Sequence, residues 1–489
     1  MSVCTNVLTF AVLPEEGDAP TMPFIDRLLY WARREPGRNA VVAGSLRLTY
    51  GELAARASSL QLPEGGTIAL QISDPVRFAV AFTAVVGQGR CAAVLDPSWP
   101  SDLRVRILEA LHPDAVITSA DPAEAAHPSS LADAAADARF YCGFTSGTSG
   151  VPKGFVRTVG SWSRSLERSV NWFGVTPGLR VCAPGPLAAS LNLYALAECL
   201  YAGSTFHSLA PGDRAATGPL TAQVLRSERI EHLVGVPSTL RLALERIEGE
   251  LPELRTVVSG GARLSAADTQ IILRSAPAAR VFEYYGASEL SLVTARRVDG
   301  FDGNDVGRPF PGVRIRIDAD SGSGRHGDVG TISVQTDTAI EGYLFGDDGR
   351  AFRRDGSWVT VQDQGWIDDD GALHLTGRHG DMLVVAGSNV YPSEVEAALA
   401  TAGHPAAVVL GVPDARRGCA LAAVIQAPPD AVIDTRALRT RLKELLPVDK
   451  VPKLILRTER LPLTTAGKPD RAALKATVVG RDGALERLA

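Results

Sequence analysis

At 489 residues the chain is too long for a single small binding module and long enough for a large body plus at least one smaller unit. Lys+Arg 50 against Asp+Glu 55 gives a formal net charge of -5, which leaves no basic surplus to neutralise a nucleic-acid backbone. No nucleic-acid partner is expected, and any anionic ligand must be met by a local site.

The start carries Glu15, Glu16 and Asp18 and lacks the basic segment and apolar run of a secretory signal. Apolar stretches such as Phe78 to Val86 are too short and interrupted to cross a bilayer. A soluble, cytoplasmic protein with no membrane span is the expectation. Cys4, Cys91, Cys142, Cys182, Cys199 and Cys419 are widely spread and form no CxxC pair, so most should be buried thiols rather than metal or redox groups.

In chain order, a helical pattern through Ile25 to Glu35 leads to a short hairpin at Ala40 to Val42 and Leu46 to Leu48, then a helix at Tyr50 to Ala57. Strand-like runs at Thr67 to Ile72, Cys91 to Leu95 and Ala115 to Thr118 alternate with helical ones at Val76 to Gly87 and Ser101 to Ala110. The rhythm continues through Arg180 to Pro184, Leu191 to Ala202, Thr221 to Arg226, His232 to Val236, Leu254 to Ser259 and Val281 to Tyr284. This predicts an α/β fold, a large N-terminal domain of layered sheets.

From about Gly312 the pattern changes. Val313 to Ile317 and Thr331 to Gln335 alternate apolar and polar residues around a Gly-rich turn, predicting a β-rich subdomain. Gly322, Gly324 and Gly327 fit GxGxxG by spacing, but strands flank them on both sides and no helix follows, so they read as a hairpin turn and not a dinucleotide site. After Gly377 and Arg378 the sequence restarts, with a helical pattern at Glu394 to Leu399, strands at Ala406 to Leu410 and Ala420 to Ile425, a helix at Thr435 to Leu446 and a strand at Lys453 to Arg457. The predicted division is a large domain, 1–379, and a small mobile α+β domain, 380–489, hinged near Gly380.

The run Phe144-Thr145-Ser146-Gly147-Thr148-Ser149-Gly150-Val151-Pro152-Lys153-Gly154 brings backbone N–H groups, hydroxyls and one cation to a common polyanion. It does not match GxxxxGK[ST], which argues against the ordinary nucleoside-triphosphatase loop. It resembles the phosphate loop of the adenylate-forming superfamily: acyl-CoA synthetases, luciferases and the adenylation domains of peptide synthetases. Leu48-Thr49-Tyr50-Gly51-Glu52-Leu53, Tyr284-Tyr285-Gly286-Ala287-Ser288-Glu289, Asp363-Gln364-Gly365-Trp366, Gly377-Arg378 and Pro462-Leu463-Thr464-Thr465-Ala466-Gly467-Lys468-Pro469-Asp470-Arg471 resemble that family in the right order, over nearly the whole chain.

The resemblance implies that Thr145 to Lys153 hold the β- and γ-phosphates of ATP. It implies that Tyr285 stacks on adenine, Ser288 lies near the α-phosphate, Glu289 binds Mg2+, and Gly260 and Gly261 line the acyl and adenine pockets. Asp363 is similar to the ribose-binding aspartate, with Arg378 donating to the same sugar; the family usually has Thr-Gly before that aspartate, and this chain has Val361-Gln362. Lys468 is the expected catalytic lysine of the first step, because a cation between two anionic reactants offsets their repulsion and orients the nucleophile.

Three departures bear on the second step and the substrate. Gly380 and Val384 stand where relatives often carry Asp or Lys and a lysine, so a thioester-forming role of that lysine does not transfer. Pro186-Leu187-Ala188-Ala189 resembles the relatives' Pro-Leu-Phe-His and suggests a reshaped acyl tunnel. Amino-acid activating members carry an aspartate nearby, whereas Ala183 to Tyr194 holds no acid, which favours a carboxylic acid without an amino group. The expected acceptor is coenzyme A, with a separate carrier protein as the alternative; a non-catalytic nucleotide-binding protein is the different-class alternative. Asn192 reads either as a substrate contact or as a buried structural amide.

Overall fold

The computed structural model describes residues 24–120, 128–145, 152–209, 217–298, 305–318, 329–347, 349, 351–378, 383–385, 388–414, 418–464, 468–480 and 485–488. The chain divides into two units interleaved in sequence. The first comprises Met1–Ala216, Gln223–Val234 and Asp337–Gly346; the second comprises Thr217–Ala222, Gly235–Thr336 and Asp347–Ala489.

In the first unit a sheet is ordered Tyr343–Phe345, Lys153–Thr158, Arg139–Thr145, Cys91–Val94, Thr67–Leu70, Ala115–Ile117. Its last four strands run parallel and the first two pairings are antiparallel. Cys91–Val94 is buried along its whole length, and the helix Pro75–Gly87 that precedes it is buried at almost every position, as crossover elements of a parallel sheet must be. Asp74 starts that helix by accepting from the N–H groups of Val76 and Arg77.

Asn39–Ala43, Thr205–Ser208 and Arg180–Cys182 form a second parallel set, with Leu46–Thr49 antiparallel to the first of them. The segment Leu48 to Leu53 has a structural explanation here. Thr49 and Glu52 make a capping box on the helix Tyr50–Ser59, and the buried Tyr50 hydroxyl lies 2.9 and 2.8 Å from the carbonyl oxygens of Cys199 and Ser204. Cys91, Cys142, Cys182 and Cys199 are buried free thiols.

His207, 3% exposed, lies inside this parallel set, its α-carbon level with those of Cys182 and Val42. Burial pushes its imidazole down to about 4, against the opposing pull of Glu228 at 3.8 Å. The folded state therefore prefers neutral histidine. Its contribution is complete above the unfolded value of about 6.5 and is lost as pH falls toward 4, a change of about 3 kcal/mol. Denaturant unfolding at pH 7, 5 and 4 should show this loss, and His207→Leu should flatten it.

In the second unit Thr256–Ser259 runs parallel to Arg280–Ala287, which forms an antiparallel hairpin with Ser291–Arg297. The β-rich region expected after Gly312 is a sheet ordered Arg353–Asp355, Trp358–Thr360, Gly330–Gln335, Asp363–Ile367, Leu373–Arg378, with Arg314–Asp318 paired to Gly330–Gln335. Gly322, Gly324 and Gly327 lie outside the described residues; the strands on either side of them pair antiparallel.

Farther along, Ala407–Asp414, Gly418–Gln426, Leu454–Thr458 and Glu486–Leu488 form a four-stranded sheet. Alternation along its strands supplies two cores. Val409, Ala423, Ile425 and Ile455 pack with Val395, Leu399, Leu438 and Leu442, whereas Val408, Leu410, Val424 and Leu456 pack with Leu474. The helices Pro392–Thr401 and Thr435–Leu445 thus supply one face and Arg471–Gly480 the other.

Candidate active site

The strand Thr256–Ser259 is buried throughout and delivers the chain to Gly260 and Gly261. A Cβ on Gly260 would overlap the ring of Tyr284, so the close approach requires glycine. Gly261 has φ +77°, and a Cβ there would stand 3.5 Å from Lys468 Cε and 3.8 Å from its Nζ. The exposed Lys468 side chain therefore lies along this glycine. Thr464 and Lys468 support it: the Thr464 N–H donates to the Lys468 carbonyl at 2.7 Å and the Lys468 N–H to Thr464 Oγ1 at 3.3 Å, with Leu463 and Pro469 bridged beyond them. Residues 465–467 lie outside the described set.

Successive residues of a strand project to opposite faces. Tyr284 covers Gly260, and the next residue, Tyr285, 8% exposed, donates its hydroxyl proton to Asp363 Oδ2 at 2.6 Å. Asp363, also 8% exposed, opens the strand Asp363–Ile367, and its α-carbon pairs with that of Arg378 on Leu373–Arg378. Cross-strand partners share a sheet face, so backbone register sets these two residues side by side; the Arg378 side chain lies outside the described set. The strand pairs of Gly286 and Ala287 are Leu292 and Ser291, which leaves Ser288 and the buried Glu289 in the hairpin turn.

Gln362 adopts φ +65°, a left-handed conformation, at the position where the resemblance leads one to expect glycine. The Gln362 N–H donates to Thr360 Oγ1 at 3.0 Å, which helps hold the turn. Glutamine thus carries a left-handed turn into Asp363. Gln362→Gly should change unfolding free energy by less than about 1 kcal/mol, since relief of the left-handed strain offsets the glycine's added chain entropy. Gln362→Val should cost about 1–2 kcal/mol more, because a β-branched residue fits that φ poorly; urea unfolding of the two variants checks the order.

In the first unit Thr145 and Lys153 are α-carbon partners at the end of the hairpin between Arg139–Thr145 and Lys153–Thr158. They are therefore the two stems of the hydroxyl- and glycine-rich loop; Ser146, Gly147, Thr148, Ser149 and Gly150 lie outside the described residues. Lys153 is 4% exposed, and its Nζ sits 5.5 Å from the centre of the Tyr343 ring, close enough for cation–π attraction. Asn192 has a structural part: it is 6% exposed and its Nδ2 donates to the Pro186 carbonyl at 3.0 Å, tying the turn before the helix Ser190–Ala202. Gly380 lies outside the described residues and Val384 sits in the strand Leu383–Val385.

Sequence reasoning misses the supporting side chains. Tyr343 is far from Lys153 in the chain, and only the antiparallel pairing of Tyr343–Phe345 with Lys153–Thr158 brings it there. Tyr284 carries a signal, the period-2 alternation with Tyr285, but its partner Gly260 emerges only from strand order.

Residues 120–344 match the AMP-binding enzyme family. Over 475 residues the chain is 30% identical to an uncharacterized acyl-CoA ligase, YhfT, of Bacillus subtilis, covering 91% of this chain and 96% of that protein. The chain belongs to the adenylate-forming, AMP-binding enzyme family. It is an ATP-dependent, AMP-forming ligase. Another member, a putative long chain fatty acid-CoA ligase, VraA, of Staphylococcus haemolyticus, is 27% identical, with 92% of this chain and 97% of that one covered. Among solved structures, the anthranilate CoA ligase AuaEII in complex with anthranoyl-AMP superposes with a TM-score of 0.83 at 20% identity, over 95% of this chain and 98% of that one, a likeness of fold. Among the described residues no helix is long and apolar enough to cross a membrane.

Proposed function

We propose that this adenylate-forming enzyme activates a carboxylic acid lacking an amino group as its acyl adenylate, and then transfers the acyl group to coenzyme A. The observation that carries the reading is the Lys468 ammonium lying along Gly261, in the same unit as the hydrogen-bonded Tyr285 and Asp363. In the first step the acid's carboxylate oxygen attacks the α-phosphorus of ATP and pyrophosphate leaves. Lys468 offsets the charge of the two approaching anions and holds the carboxylate in line. Tyr285 offers its ring to adenine, while Asp363 accepts from the ribose hydroxyls and Arg378 donates to the same sugar. Ser288 faces the α-phosphate, and Thr145 to Lys153, with Ser146, Gly147, Thr148, Ser149 and Gly150 between, take the outer phosphates.

Glu289 fits a magnesium role: it is a buried hard oxygen donor in a turn, and Mg2+ commonly takes one or two carboxylates and completes its shell with phosphate and water. Among the described residues no group of three or more His, Cys, Asp or Glu forms a complete cage, consistent with such a shared shell. Bound there, the ion would neutralise phosphate charge.

In the second step the thiol sulfur of coenzyme A attacks the anhydride carbonyl and AMP leaves. The proposal includes movement of residues 380–489 about a hinge near Gly380, withdrawing Lys468 between the steps. The absence of acid from Ala183 to Tyr194 supports an unaminated substrate, and the likeness to proteins named as CoA ligases supports coenzyme A. The test is acid-dependent exchange of labelled pyrophosphate into ATP over a panel of alkyl, aryl and amino acids, followed by mass analysis of the thiol product. Exchange with unaminated acids and an acyl-CoA product are expected; exchange only with amino acids, or acylation of a carrier protein but not of coenzyme A, would refute it.

A further inference from the structure

Lys468 stands on the segment that connects the strand Leu454–Thr458 to the helix Arg471–Gly480. The two stems of that segment are joined where the Asp470 N–H donates to the Pro462 carbonyl at 2.8 Å. The incoming stem is tied to the sheet: Leu461 is buried with Val424 and Leu456, and its N–H donates to Gln426 Oε1 at 3.2 Å. The outgoing stem ends on Asp470, which accepts from the Ala473 N–H at 3.0 Å, and on Arg471, three residues after Lys468.

Arg471 reaches to the edge of the sheet. Ala407–Asp414 is an edge strand, and an edge turns the N–H and C=O of alternate residues away from its one neighbour. At Val409 both groups are met by side chains: the N–H donates to Glu396 Oε1 at 2.7 Å, and the carbonyl accepts from Arg471 Nη1 at 2.9 Å. Arg471 Nη2 donates to both Glu396 oxygens, at 2.6 and 2.8 Å. One guanidinium therefore joins the helix Pro392–Thr401, the edge strand and the first turn of Arg471–Gly480. Its planar, charge-assisted fork fixes direction as well as distance. The Arg471 and Glu396 side chains are 41% and 20% exposed, and an ion pair so open to water adds little to global stability. Its place beside the lysine segment gives it another part to play.

We propose that Arg471, held by Glu396, is a positioning residue for Lys468: the fork fixes the outgoing stem of the lysine segment, and so the line along which the ammonium lies in the first half-reaction. The inference rests on the adenylation role given to Lys468 above. Gln426 ties one stem to the sheet and Arg471 the other, so loss of the arginine frees the outgoing stem from the edge strand. An ammonium displaced by about an ångström loses much of its effect on the transition state, while the groups that bind ATP and acid stay in place. The second half-reaction does not use Lys468 and should not feel the change.

The test measures acid-dependent pyrophosphate exchange, and thioester formation from supplied acyl adenylate, with the acid of the panel above that exchanges fastest. The proteins are the wild type, Arg471→Gln, Glu396→Gln, Lys468→Ala, and Arg471→Gln combined with Lys468→Ala. In Arg471→Gln, kcat for exchange should fall about thirtyfold, with KM for acid and ATP and the rate of thioester formation all within about twofold. Glu396→Gln should show the same split at smaller size. Added to Lys468→Ala, Arg471→Gln should lower the residual exchange by less than about twofold, because a residue that acts through the lysine has nothing left to aim. Equal loss of both half-reactions, or the full fall repeated on top of Lys468→Ala, overturns the proposal. If Arg471→Gln does not fold, Arg471→Lys serves: it keeps the charge and loses the fork, so exchange should fall several-fold, and an unchanged rate counts against the positioning role. Hydrogen–deuterium exchange of peptides spanning Leu461 to Leu474 gives a readout that needs no activity. Faster exchange in the arginine variant supports the anchor, and an unchanged rate overturns it. Absence of pyrophosphate exchange with every acid in the wild type, by contrast, sinks the functional reading and leaves hydrogen exchange to decide whether the fork holds the segment.

Discussion

Lys468→Ala is expected to lower acid-dependent pyrophosphate exchange on the order of a thousandfold, while thioester formation from supplied acyl adenylate persists. The first half-reaction brings a carboxylate against a polyphosphate, and the barrier contains their mutual repulsion. An ammonium fixed at that approach acts mainly in the transition state, where the new O–P bond draws the two charges together, so the loss should appear in kcat more than in either KM. The second half-reaction starts from an anhydride that is already activated and does not need that cation. Lys468 is exposed and stands beside Gly261 and the Thr464 turn; circular dichroism and thermal unfolding of the variant verify that it is folded before the two half-reactions are compared. Equal loss of both half-reactions in the folded variant would contradict the division of labour.

Asp363→Ala should raise KM for ATP about 30-fold or more, by removing charge-assisted acceptance from the ribose hydroxyls, and should also lower stability by about 1–3 kcal/mol. The second effect follows from the fold: the buried Tyr285 hydroxyl loses its acceptor, and a buried donor left unmade carries its desolvation cost. Tyr285→Phe separates the two roles, because it removes the hydroxyl and keeps the ring. If Asp363 acts on the sugar directly, Tyr285→Phe changes KM for ATP less than about threefold. If Asp363 acts only by holding the tyrosine, both variants weaken ATP alike. Isothermal titration with a non-hydrolysable ATP analogue, beside thermal unfolding, reads both effects.

These two sites show how differently residues declare themselves in sequence. The segments around Tyr285, Asp363 and Lys468 are legible because each combines a turn with a charged or aromatic group in a fixed local pattern, and the alternation of strand and helix runs gives the α/β class before any coordinate. Local runs such as Leu48 to Leu53 are legible as patterns without revealing their role. Its threonine and glutamate turn out to cap a helix, and its tyrosine to place its one hydroxyl proton within reach of two carbonyls of a distant segment.

The sequence by itself determined the layered fold class, the family's segments in their order, the lack of any basic surplus and the lysine that adenylation chemistry would require, because these depend on residue type and near-neighbour spacing. Only the tertiary structure decided that Gln362 before Asp363 takes a left-handed conformation, that the Lys153 ammonium stands over the Tyr343 ring, and that Glu198 is buried. Those relations join residues far apart in the chain or depend on backbone angles, and burial, which sets the charge of an acid or an imidazole, belongs to the packed molecule and to no single stretch of it.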